Sequence, residues 1–101
     1  MTIPKTITIC GKPNRVLLDK KHSGGSFDEN KAVICIGTAS PADIPEILVH
    51  EIFEAVLCVR NMRYAIQRSE PENGDYRFVF NHDEFELACK DVAAALKGVH
   101  F

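Results

Sequence analysis

The stretch LVHEIFEAVL, residues 48–57, decides the fold and also raises the question of function. Apolar residues recur in it at helical spacing, and the pattern continues to about residue 61, so it predicts a long helix. The apolar arc is too wide for a surface helix, which indicates burial on most sides. The same stretch carries His50, Glu51 and Glu54, and such groups are costly to bury without a compensating partner.

His50 and Glu54 are the most informative pair in this helix. They are four residues apart, so their side chains lie one turn apart and can converge on one point. A divalent metal ion would neutralise Glu54 and bind the neutral imidazole of His50. The plain alternative is that this arc of the helix faces water, but Ile47 and Cys58 lie on the same arc and are apolar.

The resulting motif is HExxE, with a carboxylate where the HExxH zinc motif has its second histidine. In HExxH the glutamate after the first histidine acts as the base on metal-bound water. Glu51 occupies that position and is the expected catalytic residue. HExxE occurs by chance in many helices, so the interpretation depends on finding a third ligand.

His82 is the best candidate for the third ligand. It is expected to begin the last helix, three residues before Phe85 on that helix's apolar stripe, and so to point toward the edge of the core. Together His50, Glu54 and His82 would form a known catalytic zinc set, with the fourth position left for water. One alternative is that His82 only packs on the core and binds no metal. The other is that Glu86 is the third ligand, which would give one histidine and two carboxylates, a harder ligand set better suited to other divalent ions. His22 and His100 are interpreted as solvated.

The residues before the long helix predict mainly strands. TITIC (6–10) is a strand closed by the turn GKPN, and RVLLD (15–19) is either a strand or a short helical turn. KKHSGGSFDEN (20–30) is interpreted as a polar loop. KAVICIG (31–37) is the clearest strand, because it is β-branched, apolar and ended by glycine.

The helix boundaries carry their own signals. Ser40 before Pro41 fits an N-cap, with the regular helix starting nearer residues 42–45. Asn73-Gly74 predicts a hairpin turn between strands at 62–68 and 76–80. The last helix begins at an Asn81–Glu84 capping box, and Gly98 is a plausible stop. Its predicted apolar stripe consists of Phe85, Cys89, Val92 and Leu96.

Composition bounds the class of protein. The 101 residues predict a single domain, residues 1–101, and a formal net charge of -2 argues against a general nucleic-acid binder. No apolar run approaches the ~18 residues of a membrane span, and residues 1–14 lack the apolar segment of a signal peptide. The four cysteines are too far apart for a CxxC motif, which predicts reduced, buried thiols in a cytoplasmic protein. The oligomeric state is left open.

Strands, a long helix, a hairpin and a last helix do not alternate regularly, so the sequence predicts an α+β fold. We expect a small, twisted, mainly antiparallel sheet packed on the central helix and on the C-terminal helix. In this arrangement the central helix carries the metal site.

Residues 31–61 resemble the strand–loop–helix core of small zincin-like metallopeptidase domains, the compact gluzincin type of phage and mobile-element proteins. HEIFEA followed by NHDEFELA, within residues 48–57 and 81–97, is the specific part of the resemblance. The resemblance implies a zincin-like fold with His50 as a ligand, Glu51 as the general base and KAVICIG as the strand beside which substrate lies.

Two functions follow as hypotheses. The first is a zinc-dependent hydrolase, a peptidase, in which Zn²⁺ or another divalent ion is held by His50, Glu54 and His82, and Glu51 takes the proton of water. The second is an inactive zincin-like fold that binds another protein, with a metal kept for stability or with none. The partner is therefore a peptide or a protein, either as substrate or as bound partner.

Overall fold

The computed structural model describes residues 1–65 and 76–101, and for residues 63–65 and 76 it describes the backbone alone. The strands are β1 (Thr6–Ile9), β2 (Lys12–Asp19), β3 (Gly25–Asp28), β4 (Val33–Gly37), β5 (Arg63–Ala65) and β6 (Tyr76–Phe78). A short 3-10 helix (Pro41–Asp43) leads into α1 (Ile44–Val59), and α2 (His82–Ala95) follows β6. The α+β class is therefore confirmed.

The main sheet has four strands in the order β1-β2-β4-β3. β4 is parallel to β2 and antiparallel to β3, while β1 and β2 form an antiparallel hairpin. This described sheet is thus mixed, and with two antiparallel pairings and one parallel pairing it is mainly antiparallel, as expected. KAVICIG becomes β4, an internal strand with a neighbour on each side, so it has no free edge along which a substrate could pair. The position of a substrate stays a prediction. Within the described sheet the edge strand next to β4 is β3.

β3 lies in the segment that the sequence predicted to be a polar loop, and that prediction is wrong for Gly25–Asp28. Its strand conformation comes from pairing with β4, in which Phe27 faces Ile34 and packs against the core. Polar residues and glycines have low strand propensity, but hydrogen bonding to a strong neighbouring strand overrides that preference.

The hairpin between β1 and β2 is tighter than the predicted GKPN turn. Cys10 and Gly11 have φ values of 49° and 82°, and β2 already begins at Lys12. Two consecutive residues with positive φ are typical of a type I′ turn, whose twist matches that of the paired strands. RVLLD, left undecided by the sequence, belongs to strand β2.

One hydrophobic cluster joins the sheet to both helices. α1 lies on the sheet face that carries Ile34 and Ile36, and α2 packs against α1 and β1. Burial of such side chains contributes roughly 1.5–3 kcal/mol each, the main favourable term for this arrangement. The largest fully buried side chains are Ile9, Ile34, Ile36, Leu48, Ile52, Val56 and Met62.

The helix boundaries follow the local sequence closely. α1 begins at Ile44, within the predicted range, and Ser40 precedes the 3-10 turn without a side-chain capping bond. At α2 both halves of the Asn81–Glu84 capping box are present. The predicted stripe is correct in part: Val92 is buried and Leu96 packs against the core, whereas Phe85 is 44% exposed and the other buried residues of α2 are Ala88 and Ala95.

Several other expectations have plain outcomes. β5 and β6 pair antiparallel as predicted, while the turn at Asn73-Gly74 lies outside the described residues. The four cysteines, all among the described residues, form no disulfide and are half-buried rather than buried. Among the helices in the described parts of the chain, none has the length and apolar character required to cross a membrane.

A polar cluster ties the end of α1 to α2 and to the first hairpin. Arg60 Nε donates a hydrogen bond to Asp91 Oδ2, and Cys10 Sγ lies 3.5 Å from the same oxygen. The hydrogen bond from Arg60 lowers the pKa of Asp91 below its usual value of 3.8. Burial, followed by the negative charge of Asp91, raises the pKa of the Cys10 thiol. Sequence patterns gave no indication of this cluster, because its members come from three distant segments.

We expect Asp91→Asn to lower the free energy of unfolding by about 1 kcal/mol near neutral pH. Because the folded pKa of Asp91 is below its unfolded value, the stabilisation is complete above about pH 4 and is lost as pH falls through the folded pKa. The difference between wild type and variant should therefore shrink in acid. Urea denaturation between pH 7 and pH 2.5 measures this, with Asp43→Asn as the control. A difference that stays constant over this range would contradict the assignment.

Candidate functional site

α1 brings together the three polar residues that the sequence singled out. His50 Nε2 lies 3.1 Å from Glu54 Oε2 and 3.9 Å from Glu51 Oε1. Each residue offers a ligand atom, and the three atoms lie within 4.8 Å of one another. The predicted convergence of His50 and Glu54 across one helical turn is present in the structure.

The three side chains differ sharply in exposure. The side chain of His50 is 62% exposed and that of Glu54 is 26% exposed, whereas that of Glu51 is only 8% exposed. Among the residues whose burial the structure describes, Glu51 and Asn14 are the buried polar ones. A carboxylate at this depth carries a desolvation cost that an apolar residue would not, so packing alone does not explain it.

Glu51 is enclosed by the first residue of the edge strand. A Cβ atom placed on Gly25 would lie 2.7 Å from Glu51 Cγ and 3.1 Å from Glu51 Cδ. The start of β3 therefore lies directly against the carboxylate arm. The sequence contained a signal for this contact in Gly24-Gly25, since a glycine within a strand often marks a close approach, but the pair was interpreted as loop.

A cleft of about 550 Å³ opens beside this contact. One wall is the loop and strand segment Ser23–Gly25, and the other is the start of α1 with the residue before it. The charged residues of the lining are three carboxylates and one imidazole, so the cleft attracts cations. The lining residues on the helix side are Asp43, Glu46, Ile47, His50 and Glu51.

The loop wall of the cleft is held in place by hydrogen bonds at both ends. Asp19 accepts a hydrogen bond from the backbone N–H of Lys21 and lies 2.6 Å from His22 Nδ1, and these contacts lower the pKa of Asp19. At the other end the backbone N–H of Gly37 donates to the carbonyl of Gly24 over 2.7 Å. As expected, the side chain of His22 is largely solvated, and His100 is exposed.

His82 is placed in a different cluster from His50. It begins α2, its side chain is 78% exposed, and its Nδ1 lies 3.7 Å from Glu86 Oε1. The ligand atoms that group with it come from Asp83 and Glu86, and all three residues are exposed. The structure thus brings His50 and Glu54 together but does not bring His82 to them. Acidic residues in a first helical turn are stabilised by the helix dipole and need no ion.

The donor set on α1 fits a divalent cation. Two ligands of a tetrahedral ion with bonds of about 2.0–2.1 Å are about 3.4 Å apart, close to the 3.1 Å between His50 and Glu54. Imidazole and carboxylate are ligands that zinc and several other divalent metals accept. This group could therefore hold such an ion, with Glu51 beside it, and without an ion the same contact is a hydrogen bond between His50 and Glu54.

No family model, curated protein or solved structure matches this chain. The resemblance to zincin-like metallopeptidases therefore stays a prediction that depends on the HExxE helix.

The first test of the site is its metal content. We expect His50→Ala to lose stoichiometric metal, because it removes the one imidazole of the α1 cluster. A metal that binds only the folded state adds stability, so chelation should lower the melting temperature of wild type but not of this variant. Elemental analysis of protein purified without a histidine tag gives the stoichiometry, and His22→Ala is the control. Full metal retention in His50→Ala would disprove the site.

The second test asks whether His82 contributes a ligand. Because His82 groups with Asp83 and Glu86 rather than with His50, we expect His82→Gln and Glu86→Gln to leave both metal content and chelation response unchanged. Loss of metal in His82→Gln alone would restore the two-histidine set expected from the sequence. Loss in Glu86→Gln alone would instead favour one histidine with carboxylates.

Proposed function

We propose that this chain is a metal-dependent hydrolase that cleaves peptides. His50 and Glu54 hold the divalent ion, for which zinc is the expectation from the sequence, and Glu51 acts as general base. The observation that carries the proposal is the buried Glu51, 6% exposed, in the wall of a cleft beside the imidazole of His50.

The metal's contribution would be to polarise the scissile carbonyl and to lower the pKa of a water molecule that it binds. The protein's own residues have separate tasks. His50 and Glu54 fix the position of the ion from one face of α1. Glu51 accepts the proton of the attacking water and passes it to the leaving amine, a role for which hydrogen-bond reach of the water is the first requirement.

The burial of Glu51 suits this role. α1 packs tightly on the sheet through Leu48 and Ile52, which flank Glu51 along the chain and are fully buried. The enclosed carboxylate is therefore held on a rigid element. A base that is positioned before substrate arrives loses little conformational freedom in the transition state.

β3 supplies the surface on which an extended peptide would lie. It is an edge strand of the described sheet, and its first residue borders the cleft and contacts Glu51. An extended peptide can add to such an edge through main-chain hydrogen bonds, which gives affinity without strict sequence preference. A peptide bound in this way would pass across the mouth of the cleft, close to His50.

A second candidate is a binding module that has no catalytic activity. It is favoured by exposed apolar residues around the start of α2: Phe78, Val79, Phe80 and Phe85 are 40–54% exposed, and the rings of Phe80 and Phe85 stack at 6.0 Å. Large exposed apolar patches commonly mark sites of interaction with another protein. In this alternative Glu51 serves as a further metal ligand or as a structural group.

Glu51→Gln separates the two candidates. The substitution keeps size and hydrogen-bonding capacity but cannot accept the proton. For the hydrolase we expect normal metal content, near-normal stability and a fall in turnover of roughly 10²-fold or more. The measurement is digestion of an unbiased peptide library, followed by kinetics on the best substrate.

Glu46→Gln is the matched control, since Glu46 also lines the cleft but lies outside the metal cluster. Loss of metal in Glu51→Gln would make Glu51 a ligand rather than a base. A wild type that binds metal stoichiometrically and cleaves nothing in the library would refute the hydrolase and leave the binding module.

A further inference from the structure

We propose that Gly25 is a positioning residue for Glu51: the missing side chain at the start of β3 allows the edge strand to close over the carboxylate and fix its place beside His50. The catalytic consequence of this inference rests on the proposed function, whereas the contact itself is a property of the fold.

Gly25 is not explained by its backbone conformation. The glycines with positive φ in the described parts of the chain are Gly11, Gly24 and Gly98, and Gly25 is not among them. Any residue can therefore adopt its backbone angles. Its requirement for glycine comes from space alone, because an added Cβ would meet Glu51 Cγ and the carbonyl oxygen of Cys35, each at 2.7 Å.

The contact with Glu51 leaves almost no space for a Cβ atom at position 25. An ordinary contact begins at 3.4 Å, so a Cβ at position 25 requires a movement of about 0.7 Å by Glu51, by β3 or by both. α1 offers little freedom to move, since Leu48 and Ile52 are fully buried on either side of Glu51. Because the other close atom is the backbone carbonyl of Cys35, β3 takes up part of the movement, and the side chain of Glu51 takes up the rest.

The direction of that rearrangement matters for the site. Gly25 bounds Glu51 on the strand side, and His50 Nε2 lies 3.9 Å from Glu51 Oε1 on the side of the metal cluster. Displacement of the carboxylate changes its distance to the water that it would deprotonate. A misplacement on the order of 1 Å can cost about 10²-fold in rate.

A second close approach, between Gly37 and the loop before β3, anchors the same wall of the cleft. A Cβ on Gly37 would lie 2.5 Å from the carbonyl oxygen of His22 and 2.7 Å from that of Gly24. Gly37 thus holds the loop before β3 against the end of β4, and Gly25 sets how closely the strand itself meets the carboxylate.

The first experiment measures stability and does not depend on catalytic activity. Gly25→Ala should lower the urea midpoint in the wild-type background, and should lower it clearly less in a Glu51→Ala background, where Cγ and Cδ are gone. Equal shifts in both backgrounds would overturn the proposal, since the carbonyl of Cys35 would then set the requirement. If Gly25→Ala alone does not fold, the test is whether the double variant Gly25→Ala/Glu51→Ala folds. A folded double variant supports the proposal, and an unfolded one overturns it.

The activity arm compares Gly25→Ala with Gly11→Ala. Gly11 has a φ of 82° and no atom near its missing Cβ, so alanine there strains the fold without touching the cleft. We expect Gly25→Ala to lower kcat roughly 10- to 100-fold, and Gly11→Ala to leave kcat unchanged. For Gly25→Ala, both KM and the affinity for Co²⁺, used as a divalent probe of the metal cluster, should stay within about threefold of wild type. An unchanged kcat in Gly25→Ala would overturn the positioning role. A wild type without turnover would remove the proposed function but not the result of the stability arm.

Discussion

The packing of α1 on β4 is the constraint on which the rest of the structure depends. Ile34 and Ile36 from the strand and Leu48 and Ile52 from the helix are completely buried against each other's elements. Once these residues are in contact, the rotation of α1 about its axis is fixed. Glu51, between Leu48 and Ile52 in the chain, is then turned toward the start of β3, while His50 stays at the surface. The apolar interface thus determines which of the polar residues on α1 is buried and which is exposed.

This arrangement explains how a charged residue is retained in a small core. Glu51 lies at the rim of the apolar interface, where a cleft still gives access to solvent and to ions. This access reduces the desolvation cost of burying the carboxylate. His50 and Glu54 lie on the more exposed side of Glu51 and complete a gradient from buried to solvated donors. A ligand that enters the cleft meets the exposed imidazole first and the enclosed carboxylate last.

Much of the fold and part of the site were predictable from sequence because they are encoded locally. Helical periodicity placed α1, β-branched residues placed β4, and the Asn81–Glu84 capping box placed the start of α2. β3 was missed because its strand character comes from a distant partner. The packed face of α2 was predicted only in part, because Ala88 and Ala95 pack beside Val92 and small alanines carry a weak apolar signal. His82 was expected near His50 because Phe85 was assigned to that face, and a local sequence pattern contains no information on the distance between two helices.

The insertion of β4 between β2 and β3 also has a consequence for how the chain folds. β3 and β4 are joined by a short turn at residues 29–32 and can pair early, since their contacts are close in sequence. The parallel pairing of β2 with β4 spans the whole hairpin and bears a larger loop-closure entropy. Because the strand that borders the cleft belongs to this early hairpin, the wall of the cleft can form before the sheet is complete, and α1 then docks onto a surface that already carries the space for Glu51.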